Sequence, residues 1–373
     1  MASDGADRTA GGMIYLDYQA TTPLAPEALA AMLPWLEAQH ANPHSTHRQG
    51  RAAKAAVEVA REAVLGIGPP ADGAFTFTSG ATEALNWAIK GTTGPIVTLA
   101  TEHAAVLDTV AAEAARGRRV TVLPVGGDGL VDMDAASAAI RPGTGLVAAM
   151  LVNNEIGVIQ PIAALAELAH AAGALMLCDA VQGYGREAVP AGCDLVAVSA
   201  HKLHGPKGIG GLWIRQGVTI APLMHGGGQE AAGRSGTLSP ALCAGFGTAA
   251  RLMHDRADGD GLNLDRLWSI ATEALADWTI NGSIAHRYRG NLNVRRDGLD
   301  VARLMSDCRD IAFSAGSACA SGSGQSSHVL RAIGLTEAQA RSSIRLGFGR
   351  YTTEAELQDG LAVIVAAADR QRR

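Results

Sequence analysis

The chain has 373 residues, a formal net charge of −5 and 47% apolar residues, a composition typical of a globular protein with a large core. The slight acidic surplus argues against a nucleic-acid partner, which a basic surface would favour. No apolar run approaches the roughly 20 residues that a membrane-spanning helix needs. The length predicts one large domain with a smaller one attached.

The start of the chain and its cysteines indicate a reducing compartment. Residues 1–12 are polar and rich in Gly and Ala, unlike a signal peptide, so we expect a disordered tail. The five cysteines are odd in number, widely spaced and contain no C-x-x-C pair. This pattern argues against a disulfide framework or a metal site, and it predicts a cytoplasmic location.

In chain order, an extended segment at 16–23 leads to a helix that opens near Pro26, and strands and helices alternate after it. The predicted helices span 26–39, 48–67, 81–89, 105–115, 134–140 and 162–172, and the predicted strands span 74–78, 96–100, 120–125, 146–152, 174–178, 195–198 and 211–214. This alternation predicts an α/β protein with a doubly wound, mostly parallel sheet.

After residue 238 the pattern changes. Long helical material is predicted at 239–278, and shorter elements follow it. These are strands at 291–294, 311–314 and 343–346, and helices at 299–309, 329–333 and from 354 onward. We therefore expect a large domain at 13–255 and a small α+β domain at 256–373, which can also take in part of the N-terminal segment.

Lys202 follows the apolar run 195–198, where a buried strand is predicted to end. Because ligands of open α/β sheets bind at the carboxyl ends of strands, this amine is placed to face a pocket. A desolvated lysine is a candidate to form a Schiff base. The alternative is a surface lysine in a turn, and this stretch alone leaves both open.

Asp179 closes the preceding apolar run, 174–178. A carboxylate there can pair with a pyridinium nitrogen and keep pyridoxal phosphate (PLP) an electron sink. An isolated aspartate at a strand end is more often a helix cap or turn former. Because Asp179 and Lys202 end consecutive predicted strands, we interpret them as two contacts to one PLP ring.

Two other strand ends carry polar groups. The sequence Ser-Gly-Ala-Thr-Glu at 79–83 lies at a strand-to-helix turn, where backbone N–H groups and the helix dipole favour a phosphate. Thr82 is equally suited to be an ordinary cap. His103 follows another strand, where its imidazole can stack on a flat ring or only make local hydrogen bonds.

Taken together, the motifs resemble cysteine desulfurases of the NifS/IscS type, which are class V, fold-type I PLP enzymes. The resemblance runs from about residue 14 to 356, in the family's order and spacing. The motifs that carry it are Ser-Gly-Ala-Thr-Glu at 79–83, Thr-Glu-His at 101–103, Asn-Asn-Glu-Ile-Gly at 153–157, Asp179-x-x-Gln182, Ser-Ala-His-Lys at 199–202, His-Gly-Gly-Gly-Gln-Glu at 225–230, Arg-Ser-Gly-Thr at 234–237, Gly-Ser-Ala-Cys at 316–319 and Ser-Ile-Arg at 343–345.

The resemblance implies a role for each matching residue. Lys202 would hold PLP covalently and shuttle protons, while His103 would stack on the ring and serve in acid–base chemistry. Asp179 would bind the pyridine nitrogen and Gln182 the ring hydroxyl. Arg345 would bind the substrate carboxylate, to which a guanidinium is suited. The other contacts would come from Asn154, which would lie against cofactor and substrate, and from the phosphate-binding set Ala81, Thr82, Ser199 and His201, with Thr237 supplied by the second subunit of a homodimer.

Cys319 lies in a segment, 314–324, that is nearly all Gly, Ala and Ser. We expect this loop to be mobile and exposed, which suits a nucleophile better than a packing residue. The resemblance implies that L-cysteine is the substrate, that its sulfur forms a persulfide on Cys319, and that alanine leaves. The sulfur would pass to an acceptor or iron–sulfur scaffold protein, and transient contact of Cys319 with a cluster stays open.

Other functions remain as alternatives. A selenocysteine lyase or another class V PLP enzyme is the nearest, although the Cys319 loop argues against an aminotransferase. An inactive sulfur-assembly protein is disfavoured because Lys202, Asp179, His103 and Cys319 are all present. A nucleotide binder is disfavoured by the absence of a phosphate-loop or dinucleotide motif. The region 255–291, the pair Leu203-His204 and the segment 325–328 depart from the family's pattern. The chain also stops soon after its last predicted helix, whereas some family members have a longer tail that helps to dock the iron–sulfur scaffold, so the partner's identity stays open.

Overall fold

A computed structural model describes residues 12–69, 72–230, 233–316 and 326–372. The tail predicted at 1–12 therefore lies outside the described residues except for Gly12, as do residues 317–325 around Cys319. In chain order the strands are β1 (Ile14–Tyr15), β2 (Gly73–Thr78), β3 (Ile96–Leu99), β4 (Val120–Leu123), β5 (Leu146–Met150), β6 (Leu175–Asp179), β7 (Leu195–Ser199), β8 (Gly210–Arg215), β9 (Thr279–Ile280), β10 (Asn291–Arg295), β11 (Ile311–Ala312), β12 (Ser314–Ala315) and β13 (Ser343–Gly347).

The helices between these strands begin at residues suited to the task. Pro26 and Pro240 occupy first-turn positions, where the missing N–H costs nothing, and Thr353 forms a capping box with Glu356. The helices are α1 (Pro26–Glu37), α2 (Arg48–Leu65), α3 (Ala81–Gly91), α4 (Ala104–Ala115), α5 (Met133–Ala139), α6 (Ile162–Ala171), α7 (Pro240–Asp255), α8 (Ala257–Ala274), α9 (Val301–Asp307), α10 (His328–Ala332), α11 (Glu337–Arg341) and α12 (Glu354–Arg370).

Strands β2 to β8 form one seven-stranded sheet in the order β2-β8-β7-β6-β5-β3-β4. Every neighbouring pair is parallel except those that involve β8, which runs antiparallel to β2 and β7. Helices connect most of the parallel strands, whereas β7 reaches β8 through a short turn that reverses the chain. The prediction of a large, mostly parallel sheet in an α/β fold is confirmed.

Both faces of this sheet are buried. Along β5, Leu146 and Ala148 pack in one apolar cluster, while Val147 and Ala149 pack in another. Side chains alternate between the faces of a strand, so the two clusters lie on opposite sides of the sheet. This is why the strands read as continuous apolar runs, and it leaves only their ends for polar, functional side chains.

The C-terminal region has a second sheet, an antiparallel one in the order β12-β13-β10-β9. It has a separate core, to which α8, α9 and α12 contribute Leu267, Leu304 and Leu361. The division of the chain near residue 255 stays a prediction, although this second core fits it.

Several short elements differ from the prediction. The single strand expected at 311–314 is two short strands, because β11 pairs with β1 while β12 pairs with β13. Helix α11 was not expected, since its five residues are too few for an apolar period, but a capping box of Thr336 and Gln339 starts it. The β1–β11 pairing carries the N-terminal segment to the small sheet, from which residues 17–21 continue toward the large one.

Among the described helices, none is long and apolar enough to cross a membrane. The four cysteines that the structure describes are free and buried; they are Cys178, Cys193, Cys243 and Cys308.

Candidate active site

A cavity of about 560 Å³ opens at the carboxyl ends of β5, β6 and β7 and at the start of α3. Ten of the twelve predicted site residues line it: Ala81, Thr82, His103, Asn154, Asp179, Gln182, Ser199, His201, Lys202 and Arg345. Thr237 is exposed and does not contribute to this wall, and Cys319 lies outside the described residues. The structure thus brings together residues spread over more than 260 positions of sequence.

Lys202 and Asp179 reach the cavity from neighbouring parallel strands. Asp179 is the last residue of β6 and pairs in register with Ala197 of β7. Lys202 ends a 3-10 turn that directly follows β7. The Lys202 Nζ donates hydrogen bonds to the carbonyl of Gln19 and, at 3.0 Å, to that of Ala20.

Asp179 is 5% exposed and accepts a hydrogen bond from the Val181 N–H at 3.0 Å. Burial raises the pKa of its carboxyl group, while that hydrogen bond and the nearby His103 and Lys202 lower it. A buried carboxylate with few partners is suited to receive a cationic N–H from a ligand.

Burial favours the neutral forms of His103 and His201 by lowering the pKa of each ring. His103 caps α4, and its Nδ1 accepts a hydrogen bond from the Ala105 N–H at 3.0 Å, so the neutral ring carries its proton on Nε2. Burial lowers the pKa of His103. Burial, with the charges of Lys202 and Lys207, lowers the pKa of His201 to about 4, and its Nδ1 lies 3.2 Å from the Thr21 Oγ1.

The start of α3 lies at one end of the cavity and has features that suit an anion. Residue Gly80 precedes the helix and offers no side-chain cap, so the first N–H groups stay available. A methyl group on Gly210 of β8 would lie 2.9 Å from the Gly80 backbone, so glycine at 210 permits this close approach. Glu83 in the first turn is held by Arg234 through contacts of 2.9 and 3.2 Å, which positions the segment leading to Thr237.

Arg345 projects from β13 and is 1% exposed. Its Nη1 donates to the Asn154 carbonyl at 3.0 Å, and its Nη2 forms an ion pair with the Asp17 Oδ1 at 2.8 Å. The Ser314 hydroxyl donates to the same Asp17 oxygen at 2.9 Å and accepts from Arg345 Nη2 at 3.2 Å.

Sequence reasoning missed the contribution of the N-terminal segment 17–21. Gln19, Ala20 and Thr21 line the cavity, and the first two supply the carbonyls that Lys202 contacts. The Gln19 carbonyl also accepts from Gln182 Nε2 at 2.9 Å. These contacts use backbone carbonyls, so no pattern of side chains in the sequence predicts them. The one feature that could have indicated a role for this segment is its polar, non-periodic sequence between β1 and α1.

Arg186 was missed as well. Its Nη1 donates to the Gln182 carbonyl at 3.0 Å and its Nη2 to the Lys202 carbonyl. The guanidinium lines a second cavity, of about 300 Å³, behind the first and stacks over the Tyr288 ring at 5.4 Å. Arg186 therefore fixes the backbone of Gln182 and Lys202, whose side chains line the first cavity.

The polar groups of the larger cavity fit PLP. Lys202 offers an amine for its aldehyde, Asp179 a buried carboxylate for its ring nitrogen, and the uncapped start of α3 a site for its phosphate. His103, which is half-buried, offers a flat ring to stack on.

Comparison with known proteins agrees with this chemistry. The family model of class-V aminotransferases matches residues 14–359. The chain is 39% identical to the cysteine desulfurase IscS of Rickettsia akari, over 96% of this chain and 92% of the relative. It is 43% identical to the mitochondrial cysteine desulfurase of Saccharomyces cerevisiae, over 96% of this chain and 74% of the relative. A solved NifS-like protein, 30% identical, superposes with a TM-score of 0.88 over 96% of this chain and all of its own. The chain therefore belongs to the class-V aminotransferase family, among its PLP-dependent cysteine desulfurases.

Proposed function

We propose that this protein removes sulfur from L-cysteine, releases L-alanine and carries the sulfur as a persulfide on Cys319. The observation that carries the proposal is that Lys202, Asp179 and Arg345 line one cavity. They provide an amine, a carboxylate and a guanidinium, one each for the cofactor aldehyde, its ring nitrogen and the carboxylate of an amino acid. The names of the relatives support the choice of cysteine.

When bound, PLP supplies an electron sink for the substrate's α-carbon. Lys202 holds the cofactor and moves the α-proton on its Nζ, which requires that the amine be neutral at that moment. His103 would stack on the ring and hold a proton on Nε2, where it could be given up or regained. Asn154 would lie against the cofactor and substrate, and its carbonyl accepts a hydrogen bond from Arg345. Gln182 would bind the ring hydroxyl, while Ala81, Thr82, Ser199 and His201 would hold the phosphate.

The sulfur transfer balances without an outside oxidant. The Cys319 thiolate forms an S–S bond with the substrate sulfur while the substrate's C–S bond breaks. The electron pair of that bond stays with carbon, which takes up a proton and becomes the methyl group of alanine. One cysteine and one thiol thus give one alanine and one persulfide. The proposal for Cys319 rests on its small-residue segment in the sequence.

The test replaces Cys319 by serine in the PLP-loaded protein. A hydroxyl is a poorer nucleophile toward sulfur than a thiolate, so Cys319→Ser should bind PLP normally but release no sulfide. The matched control, Cys308→Ser, alters a buried cysteine and should keep full activity. After a cysteine pulse, mass spectrometry should place the extra sulfur on the Cys319 peptide. Full sulfide release by Cys319→Ser would instead favour a lyase that needs no acceptor thiol.

We also propose a homodimer that shares its active sites. Thr237 is exposed and stands apart from the cavity of its own chain, as expected if it reaches the partner's phosphate. Along α1, Leu29, Leu33 and Leu36 are 44%, 40% and 61% exposed, which provides an apolar face for a partner. Light scattering on the PLP-loaded protein should give the mass of two chains, and an active monomer would contradict the proposal.

The sulfur is proposed to pass to an acceptor or iron–sulfur scaffold protein in the cytoplasm. The free, buried state of the four described cysteines supports a reducing compartment. A persulfide on an otherwise unmodified protein is a sulfur donor, so transfer to a thiol-containing protein is the expected outcome. Trapping a mixed species with a purified acceptor after a cysteine pulse would identify the partner.

A further inference from the structure

Asp17 is the carboxylate in contact with Arg345. The ion pair measures 2.8 Å, and Arg345 and Asp17 have side-chain exposures of 1% and 18%. A second carboxylate, that of Glu155, also lies near Arg345. Its hydrogen bond comes from the Ser327 hydroxyl, whereas Asp17 pairs directly with the guanidinium. The described residues that line the active-site cavity include Arg345 but not Asp17, so Asp17 contacts the guanidinium from outside the cavity lining.

Arg345 can still donate further hydrogen bonds while it is paired with Asp17. Its Nη1 makes one hydrogen bond, to the Asn154 carbonyl, although that nitrogen carries two hydrogens. Its Nε is buried and has no hydrogen-bond partner among the described residues. The guanidinium can therefore hold Asp17 and a substrate carboxylate at the same time, one on each side.

We propose that Asp17 sets the affinity of the site for the carboxylate of its amino acid by opposing it across Arg345. Asp17 is thus an affinity-setting residue that acts through Arg345. The inference rests on the proposed function, in which Arg345 binds the carboxylate of L-cysteine. It adds that the charge of Asp17 weakens the binding of this carboxylate to Arg345.

The reason for such tuning lies in the chemistry of the two ligands. L-cysteine and L-alanine carry the same carboxylate and the same amine, so an interaction with the carboxylate binds substrate and product alike. Uniform binding of this kind lowers KM without speeding the chemical step, and it holds the product on the enzyme. A buried guanidinium without a counter-charge would bind the carboxylate strongly and slow the release of alanine.

The size of the effect follows from Coulomb's law. A carboxylate on the cavity side of the guanidinium would lie about 6 Å from that of Asp17. At an effective dielectric constant of about 20, two unit charges at that distance change an affinity by on the order of 100-fold. Because solvent and side-chain relaxation reduce this figure, we expect at least about a tenfold effect.

The experiment compares two ligands that differ only in the carboxylate. L-alanine is ethylamine with a carboxylate on the carbon that bears the nitrogen. Calorimetric titration of the PLP-loaded protein with each ligand gives an affinity ratio that isolates the carboxylate's contribution. Asp17→Asn keeps an oxygen that can accept from Arg345 and Ser314 but removes the charge, so the ratio should rise at least about tenfold. The KM for L-cysteine should fall, and kcat should fall where alanine release limits it.

Two further variants serve as controls for the affinity ratio. Asp265→Asn removes the charge from a surface pair with Arg289, whose partners are 56% and 57% exposed, and should leave the ratio unchanged. Arg345→Gln should bring the ratio down toward one.

If Asp17 were only a structural ion pair, Asp17→Asn would lower the melting temperature while the ratio stayed unchanged. That result, or a lower ratio, would overturn the proposal. An unchanged ratio in Arg345→Gln would also overturn the proposal, because it would show that Arg345 does not bind the carboxylate. Failure of the desulfurase assignment would appear separately, as sulfide release by Cys319→Ser.

Discussion

The ion pair between Arg61 of α2 and Glu230 is a buried contact whose loss should strongly reduce stability. Arg61 Nη1 and Nη2 lie 2.7 and 3.0 Å from the two carboxylate oxygens. The Glu230 side chain is 1% exposed, and its other hydrogen bond is a long one, 3.4 Å, from the Phe77 N–H. Removing the guanidinium therefore leaves a buried carboxylate almost without partners.

We expect Arg61→Ala to lower the free energy of unfolding by about 3–5 kcal/mol, the range found when one partner of a buried ion pair is removed. Urea denaturation of the PLP-loaded protein at neutral pH measures this loss. Because Glu230 lies four residues before Arg234, which holds the first turn of α3, we also expect weaker PLP binding. Fluorescence titration of the cofactor-free protein with PLP tests that second effect.

The control is Arg289→Ala, which breaks an exposed pair with Asp265 and should cost no more than about 1 kcal/mol. The double variant Arg61→Met with Glu230→Gln removes both charges and should recover a large part of the stability, because no buried charge is left unpaired. If Arg61→Ala lost no more stability than Arg289→Ala, the reasoning from burial would be refuted.

Two further predictions concern the site. Lys202→Ala should lose the visible absorption band of bound PLP, and borohydride should no longer fix the cofactor to the protein; a reducible band in this variant would exclude Lys202 as the point of attachment. Burial lowers the pKa of His204 to about 3, so below pH 6.5 the unfolded chain binds a proton that the native chain does not, and stability falls as the pH drops. His204→Asn, which tolerates the native φ of 67°, should reduce this fall by up to about 1.4 kcal/mol per pH unit between pH 6 and 4. Equal slopes in urea titrations of the two proteins would rule out His204 as the source.

The sheet and the strand-end residues were predictable from local sequence. Strands buried on both faces are continuous apolar runs, so their ends are marked by the first polar residue, as at Asp179 and at Ser199, three residues before Lys202. The resemblance to a known family then supplied the role expected of each. Ten predicted residues share one cavity, although their individual roles stay predictions.

What escaped prediction depends on contacts between distant segments. The Gln19 and Ala20 carbonyls reach Lys202 across more than 180 residues, and a backbone carbonyl carries no mark of its partner in the sequence. The pairing of Asp17 with Arg345 spans 328 residues. The antiparallel direction of β8 could not be predicted either, because a strand buried on both faces has the same apolar pattern in either direction.

The placement of residues 17–20 has a consequence for how the protein is made. This segment leaves the ribosome early, yet its partners Gly290, Ser314 and Arg345 come 271, 297 and 328 residues after the positions that contact them. At a synthesis rate of 5–20 residues per second, roughly 15 to 65 s pass before those partners emerge. Before then Gln182 and Lys202 can already hold the Gln19 carbonyl, but the Asp17 carboxylate lacks the contacts with Ser314 and Arg345. The large sheet can assemble during synthesis, but the substrate pocket closes only when both ends of the chain are present.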